Sequence, residues 1–302
     1  IWLTHTFGWG MLGVMAFSAE LVRQYDRGNN LIAAGWHSAI QCLALAPPIL
    51  LMLAWRSGHV GGQTTDWFNW WAKFYWIIWA LRDRWYFFDL ASLAIAGLLI
   101  LRALWSPRIE FSRNLAASVI FLTLVFILLP RIVFGSAYAD MRMVPYLFAV
   151  AVIAIRMRAR VTGRIARIAA WAAIAFMAVR LGGTTLGFWF YDNNYVRHLA
   201  ALDHVPRGAR LLSFVGRACP DAWATSRLEH LPALAVVRRH AFSNDQWTMA
   251  GAQLLSVHYP DGGWFVRDPS QIVTARKCPR EQWLTIADAL GRFPRRPFDY
   301  VW

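Results

Sequence analysis

Apolar residues in this chain gather into long blocks that are separated by short polar segments. Six blocks are almost free of charge, and they cover residues 1–19, 31–55, 87–105, 115–129, 144–155 and 168–189. A helix needs about 20 apolar residues to cross the hydrocarbon core of a bilayer, and several blocks have that length. The pattern therefore predicts an α-helical polytopic membrane protein with about six transmembrane helices.

The segment between the second and third blocks follows a helical period. From residue 67 to residue 81, aromatic and aliphatic side chains recur on one helix face, whereas Asp66, Asn69 and Lys73 fall on the other. A helix of about 15 residues is only about 22 Å long, which is short for a membrane span. We interpret the segment as an amphipathic helix in the plane of the membrane interface, and a seventh, short span is the alternative.

The apolar blocks end at residue 189. Beyond that point the pattern predicts helices and strands in turn, with helices at 191–204 and 281–290 and strands at 210–215, 234–238 and 298–302. Alternating strands and helices are typical of an α/β fold. We expect a transmembrane helical domain over residues 1–189 and a small α/β domain over residues 190–302.

The distribution of charge gives the predicted helices an orientation. The net charge is +14, and residues 1–187 hold 17 basic and 7 acidic side chains against 14 and 10 in the remainder. Arginines without an acid cluster between residues 156 and 167, which is typical of a cytoplasmic loop and places the C-terminal domain outside the cytoplasm. Because this signal accounts for the basic excess and no recognition motif accompanies it, we expect the lipid bilayer, and no nucleic acid, as a partner.

Two charges are expected at membrane depth. The fifth block has 12 uncharged residues, or about 18 Å of helix, so its helix must draw Asp140 and Arg142 below the surface or border a wet cavity. Ionisable groups at that depth usually mark a functional site or an ion pair. Asp140 is therefore the candidate catalytic carboxylate, and an interfacial Asp140–Arg142 cap is the alternative. Arg180 in the sixth block is expected near Asp140, unless its side chain extends to the surface.

Arginines in the predicted outer loops form a candidate site for a lipid phosphate. The guanidinium fork matches the geometry of phosphate oxygens. A belt of Arg and Trp side chains at the membrane interface is the alternative interpretation. The predicted phosphate-binding residues are Arg82, Arg84, Arg131, Arg142 and Arg180.

The cysteine and histidine positions predict one disulfide and no metal site. Cys219 and Cys278 both lie in the predicted extracytoplasmic domain, where an oxidising compartment would favour a disulfide, whereas Cys42 lies in an apolar block. The 8 histidines have no metal-ligand spacing, so we predict no metal site. No metalloprotease, nucleophile-elbow, Walker or dinucleotide-binding motif occurs in the sequence.

The segment from Gly135 to Arg142, Gly-Ser-Ala-Tyr-Ala-Asp-Met-Arg, is similar to a stretch found in bacterial relatives of the protein mannosyltransferase and aminoarabinose transferase group. The predicted architecture also resembles these membrane-embedded GT-C type glycosyltransferases. The resemblance implies transfer of a sugar from a polyprenyl-phosphate donor to an envelope glycan, lipid or protein acceptor, on the outer face of the bacterial inner membrane. Such enzymes use a carboxylate in an early outer loop as a base or metal ligand, and Asp140 is not its equivalent.

The chain begins at Ile1 inside an apolar block, so we expect it to be the C-terminal part of a longer protein that includes that early loop. The sequence does not indicate a cofactor, although a divalent cation is compatible with the resemblance. Two other functional classes stay open. A transporter or flippase subunit would contain inverted repeats and broken helices, and a non-catalytic scaffold of an envelope-synthesis complex would need no catalytic motif.

Overall fold

The computed structural model describes residues 6–55, 63–158, 162–219, 223–224, 227–248, 257–279 and 281–302. The start of the first predicted span and part of the arginine-rich segment at 156–167 lie outside these residues. The chain divides into two compact units. The N-terminal unit contains Ile1–Arg82 and Phe87–Phe176, and the C-terminal unit contains Asp83–Tyr86 and Met177–Trp302.

The N-terminal unit is helical. Its helices are α1 (Thr6–Asp26), α2 (Leu31–Cys42), α3 (Pro47–Trp55), α4 (Trp70–Ile78), α5 (Tyr86–Trp105, whose first residue is assigned to the other unit), α6 (Arg113–Leu128), α7 (Val144–Ile153) and the first part of α8 (Gly163–Leu199). The side chains of Asn30 and Asn69 cap α2 and α4 by accepting hydrogen bonds from the backbone N–H groups of Ala33 and Ala72.

The core of this unit lies where α1, α6 and α7 pack together. Met11 of α1, Leu122 and Phe126 of α6, and Val144 of α7 are all buried there. A short antiparallel pair closes the end of the helices. Its strands are β1 (Ile109–Phe111), between α5 and α6, and β2 (Ile155–Met157), between α7 and α8.

The prediction of about six transmembrane helices is wrong. Among the described residues, two helices are long and apolar enough to cross a membrane, namely α5 and the helix formed by α8 with its 3₁₀ extension to His204. Three other apolar blocks form shorter helical segments, which cover Leu31–Leu45, Arg113–Leu128 and Met141–Ile153. An apolar run has the composition of a span, but the length of its helix depends on where the backbone breaks.

Proline and a buried carboxylate produce those breaks. The second block is interrupted where Pro47 starts α3, and α6 ends because Leu129 is extended before Pro130. The α-helix α7 starts only at Val144, since the preceding three residues form a 3₁₀ turn capped by Asp140.

The predicted interfacial amphipathic helix is also incorrect in its extent, and one residue of its expected polar face is buried. The α-helix in this segment, α4, has 9 residues. Lys73, which the period places on the water-facing side, is only 3% exposed. Trp71, which the period places on the apolar face, is 75% exposed.

The C-terminal unit contains parallel strands with short helices. One sheet has the order β5-β3-β8, with β3 Arg210–Leu212, β5 Phe242–Ser243 and β8 Tyr300–Val301. A second sheet has the order β4-β6-β7, with β4 Val215–Gly216, β6 Ile272–Thr274 and β7 Leu284–Thr285. The helices α9 (Leu234–Arg239) and α10 (Ile286–Arg292) accompany them. Residues 234–238 were expected to form a strand and are helical instead.

Asn244 joins the two sheets at the point where the chain leaves β3. The backbone of Ser213 has no strand partner there. Asn244 replaces that partner, because its side chain accepts a hydrogen bond from the Ser213 N–H at 2.7 Å and donates to the Ser213 carbonyl oxygen at 3.2 Å. The Asn244 amide also donates to the Ser270 hydroxyl beside β6 at 3.1 Å. A single buried amide therefore satisfies the backbone at the break.

The disulfide joins the loop after β4 to the loop after β6. The Cα atoms of Cys219 and Cys278 are 5.5 Å apart, and the two residues form a disulfide bond. Cys42 of α2 is a free cysteine.

Candidate functional site

The C-terminal unit contains an open cleft of about 990 Å³ beside the end of the apolar part of α8. We call it the aromatic–arginine cleft. Its polar and aromatic lining residues are Arg84, Trp85, Trp189, Phe190, Tyr191, Asn193, Asn194 and Arg197. Two basic side chains, two amides and four aromatic rings thus surround one space.

Two short stretches of chain supply this lining. Arg84 and Trp85 belong to the four-residue segment Asp83–Tyr86, which ends at the first residue of α5. The other residues lie on α8, where Phe190, Asn194 and Arg197 are spaced by four and three residues and so share one helix face. The same helix that carries the long apolar stretch therefore carries the polar side of the cleft.

Arg84 is positioned by aromatic rings. Its guanidinium carbon lies 5.1 Å from the Phe190 ring centroid and 5.0 Å from that of Tyr191. Among the described residues, neither Arg84 nor Arg197 forms an ion pair with a carboxylate. Both positive charges in the cleft are therefore uncompensated, and they favour an anionic ligand.

A third arginine beside the cleft is already neutralised. Arg227 Nη2 donates to Asp83 Oδ1 at 2.7 Å, and its guanidinium also lies 5.0 Å from the ring centroids of Phe188 and Tyr191. The Tyr195 hydroxyl donates to the Arg227 carbonyl oxygen at 2.7 Å. These contacts fix the ring of Tyr191, which Arg84 also contacts.

The five arginines predicted to bind phosphate have different surroundings. In the N-terminal unit, Arg82 stacks on Trp79 at 4.7 Å, Arg142 lies 5.4 Å from the Phe7 ring, and Arg131 pairs with Asp66. Arg84 and Arg180 belong to the C-terminal unit, and of these two Arg84 lines the cleft. Arg197 also lines the cleft and was not predicted from the sequence, although its seven-residue spacing from Phe190 could have indicated it.

Asp140 is enclosed in the N-terminal unit. Its side chain is 1% exposed and forms an ion pair with Lys73, whose Nζ lies 3.2 Å from Oδ2. Lys73 also donates to the carbonyl oxygens of Phe126 at 2.6 Å and Leu129 at 2.9 Å. The other carboxylate oxygen accepts from Trp76 Nε1 at 3.0 Å and from the Met141 N–H at 2.9 Å. The contacts of the candidate catalytic carboxylate in this unit are thus Lys73, Trp76 and the backbone N–H of Met141.

A second group of polar side chains lies on the surface of the N-terminal unit. We call residues 63–69 together with residues 130–139 the double loop. An antiparallel bridge between Thr65 and Ile132 joins the two segments, and a second bridge, between Val133 and Ser136, lies within the longer one. Arg131 Nη1 donates to Asp66 Oδ2 at 3.0 Å, and the Asn69 amide donates to both Asp66 oxygens at 3.1 and 3.2 Å.

The double loop contains strained backbone. Four residues other than glycine have positive φ angles, which are 63° at Asp66, 53° at Phe68, 50° at Phe134 and 64° at Tyr138. Each such residue costs of the order of 1–3 kcal/mol, and conformations of this kind concentrate at functional sites. Burial opposes the positive charge of Arg131, but the hydrogen bond to Asp66 and the nearby Tyr138 raise the pKa of its guanidinium above the ordinary value.

No metal centre is evident in the part of the chain that the structure describes, since no three His, Cys, Asp or Glu residues are grouped to hold an ion there. No protein-family model, curated protein or solved structure matches the chain.

Proposed function

We propose that the protein is a membrane-bound glycosyltransferase that uses a polyprenyl-phosphate sugar as its donor. The observation that carries the proposal is the aromatic–arginine cleft, because it combines two uncompensated arginines with aromatic walls at the end of an apolar helix. A polyprenyl phosphate has the matching chemistry, with an anionic head and a long hydrocarbon tail.

The exposure of the long helices supports attachment to a membrane. In the most apolar 18-residue windows of α5 and α8, 17% and 0% of the residues are buried. Contact of this much apolar surface with water is unfavourable by about 25 cal/mol per Å². A bilayer would cover both helices, and the lipid tail would lie along α8.

The disulfide supports an oxidising location for the C-terminal unit. Disulfides persist in the periplasm and outside cells and are rare in the cytosol of most organisms. We therefore place the Cys219–Cys278 bond, and with it the cleft, on the extracytoplasmic side of a bacterial inner membrane.

The cleft would act on the leaving group. In the transfer, an acceptor hydroxyl oxygen forms a bond to the anomeric carbon, the bond between that carbon and the phosphate oxygen breaks, and the hydroxyl proton is released to solvent. The departing polyprenyl phosphate gains one negative charge. Arg84 and Arg197 would stabilise this charge more strongly than the charge of the bound donor, which is the condition for catalysis.

Substitution of the two arginines tests the proposal. Arg84→Ala and Arg197→Ala should each weaken binding of polyprenyl phosphate to the full chain in lipid nanodiscs by roughly 10- to 100-fold, because a hydrogen bond to a charged group contributes about 1.5–3 kcal/mol. Each should also lower sugar transfer from a panel of polyprenyl-phosphate hexoses and pentoses. Arg238→Ala is the matched control, since Arg238 is exposed on α9 and does not line the cleft.

Two results would contradict the proposal. Unchanged binding of polyprenyl phosphate in both cleft variants would show that the two arginines do not bind the lipid phosphate. Binding that depends on the arginines but leads to no transfer would exclude the transferase and favour a flippase subunit or a scaffold.

A further inference from the structure

The double loop differs from the aromatic–arginine cleft in its charge. Asp66 compensates the positive charge of Arg131 directly, with Nη1 and Oδ2 at 3.0 Å. The two side chains are 30% and 32% exposed, so both remain accessible to a ligand. A compensated pair attracts phosphate weakly. This surface is therefore suited to an uncharged polar ligand.

The polar groups of the double loop form a hydrogen-bonded network. Asn69 donates to both oxygens of Asp66, at 3.1 and 3.2 Å, and Arg131 donates to one of these oxygens. A carboxylate, an amide and a guanidinium together offer several donors and acceptors at fixed positions. Adjacent hydroxyl groups of a sugar both donate and accept hydrogen bonds, so they can join such a network without adding charge.

Aromatic rings flank the network. Phe68, Phe134 and Tyr138 are 47%, 48% and 43% exposed, although aromatic side chains usually avoid water. Arg131 lies 5.3 Å from the Tyr138 ring centroid, and the Phe68 ring lies between those of Trp67 and Trp70 at 6.4 and 6.0 Å. The negative face of an aromatic ring attracts the C–H groups on the apolar face of a pyranose.

The backbone strain coincides with the residues that such a ligand would contact. Asp66, Phe68, Phe134 and Tyr138 all have positive φ. Glycine would relieve the strain at each position, but it would remove the carboxylate or the ring. In this loop the strained residues are half-exposed polar and aromatic residues. Such strain indicates that these side chains serve binding and not stability of the fold.

We propose that the double loop is a binding site for a neutral carbohydrate, held by Asp66, Asn69 and Arg131 and stacked on Phe68 and Tyr138. The inference goes beyond the proposed transfer reaction and does not depend on it, because a chain without transferase activity could still bind a glycan here.

Binding of defined oligosaccharides to the full chain in lipid nanodiscs tests the inference. The probes are neutral tetrasaccharides of β-1,4-glucan, chitin and α-mannan, observed by saturation-transfer NMR and titrated for affinity. Phe68→Gly should lower the affinity for the bound probe roughly tenfold and leave the thermal unfolding temperature equal or higher. Phe74→Ala is the matched control, since Phe74 is an exposed aromatic residue of α4 outside the double loop and its loss should change neither quantity.

A charge variant makes the test specific. Asp66→Asn keeps a side chain of the same shape that tolerates positive φ, but it leaves Arg131 uncompensated. It should lose affinity for the tetrasaccharide and gain affinity for inorganic phosphate.

Three outcomes would overturn the inference. The first is that the wild-type chain binds none of the three tetrasaccharides. The second is that Phe68→Gly and Asp66→Asn leave their affinity unchanged. The third is that Phe68→Gly weakens association of the chain with sugar-free lipid vesicles and not its affinity for sugar, which would assign the aromatic surface to the bilayer.

Discussion

At the scale of single residues, the main finding is the enclosed pair of Lys73 and Asp140. Both side chains are almost fully buried, at 4% and 1% exposure, and they are 3.2 Å apart. Removing two charges from water is costly, and only additional hydrogen bonds make such a pair tolerable. Lys73 donates to two carbonyl oxygens at the end of α6, and Asp140 accepts from Trp76 Nε1 and from the Met141 N–H. The pair therefore holds α4 against α6 and the start of α7.

Substitution of one partner should destabilise the fold. Lys73→Met or Asp140→Ala should each lower the free energy of unfolding by about 3–5 kcal/mol, since each leaves a buried charge or its donors uncompensated. Urea denaturation of the full chain in detergent micelles, followed by circular dichroism, measures the effect. Arg23→Ala is the control, because the Arg23–Glu20 pair lies on the surface of α1 and such pairs contribute about 0–1 kcal/mol.

The same variants distinguish a structural from a catalytic Asp140. The double variant Lys73→Met/Asp140→Leu should recover part of the lost stability, because it removes both charges. If Asp140→Asn abolished sugar transfer without any change in unfolding, the structural role would be refuted and the carboxylate would belong to the chemistry.

At the scale of the helices and strands, the apolar composition of a block predicted that it contains helix better than the length of the block predicted the length of that helix. The apolar blocks at 87–105 and 168–189 correspond to α5 and to part of α8. The other blocks are broken by features with local causes: Pro47, Pro130 and the cap at Asp140. The prolines are visible in the sequence, whereas the burial of Asp140 depends on Lys73, which is 67 residues away. The strand expected at 234–238 is helical because Pro232 lies in a 3₁₀ turn that leads directly into α9.

The exposed face of α8 gives a prediction at this scale. Met177→Asp should reduce the fraction of the chain that stays in the membrane pellet after carbonate extraction, because Asp near the centre of a membrane helix costs about 2.5–3.5 kcal/mol. Val237→Asp is the matched control, since Val237 is equally apolar and exposed on α9 of the C-terminal unit. Equal pellet fractions for the two variants would show that something other than lipid covers α8.

At the scale of the whole molecule, the two units differ in how many of their functional and structural features could be predicted from the sequence. In the C-terminal unit, Cys219 and Cys278 could be paired from the sequence because Cys42 lies apart from them in an apolar block, and the structure contains their disulfide. The double loop could not be anticipated, because its chemistry arises when residues 65 positions apart, Asp66 and Arg131, meet on one surface. The cleft was predicted only in part. Arg84 was among the arginines predicted to bind phosphate, whereas Arg197 was not, because its place in the cleft depends on the helix that puts it on the same face as Phe190.

The disulfide gives a prediction for the intact chain. Alkylation without reductant should modify Cys42 alone, and full reduction in denaturant should expose all three thiols. The variant Cys219→Ser/Cys278→Ser should unfold at lower urea concentration, with a loss of about 4 kcal/mol on the chain-entropy model for a sequence separation of 59. Modification of all three cysteines in the folded, unreduced chain would refute both the bond and the oxidising location.

The segment Asp83–Tyr86 has a consequence for how this chain can be inherited. The polypeptide passes between its two units after Arg82, after Tyr86 and after Phe176, so no single cut separates them. A recombination event that copied only residues 177–302 would leave Arg227 without Asp83 and the cleft without Arg84. The cleft therefore cannot be transferred to another protein as residues 177–302 alone. Any descendant that keeps it must also keep four residues that are encoded more than 90 codons upstream of Met177.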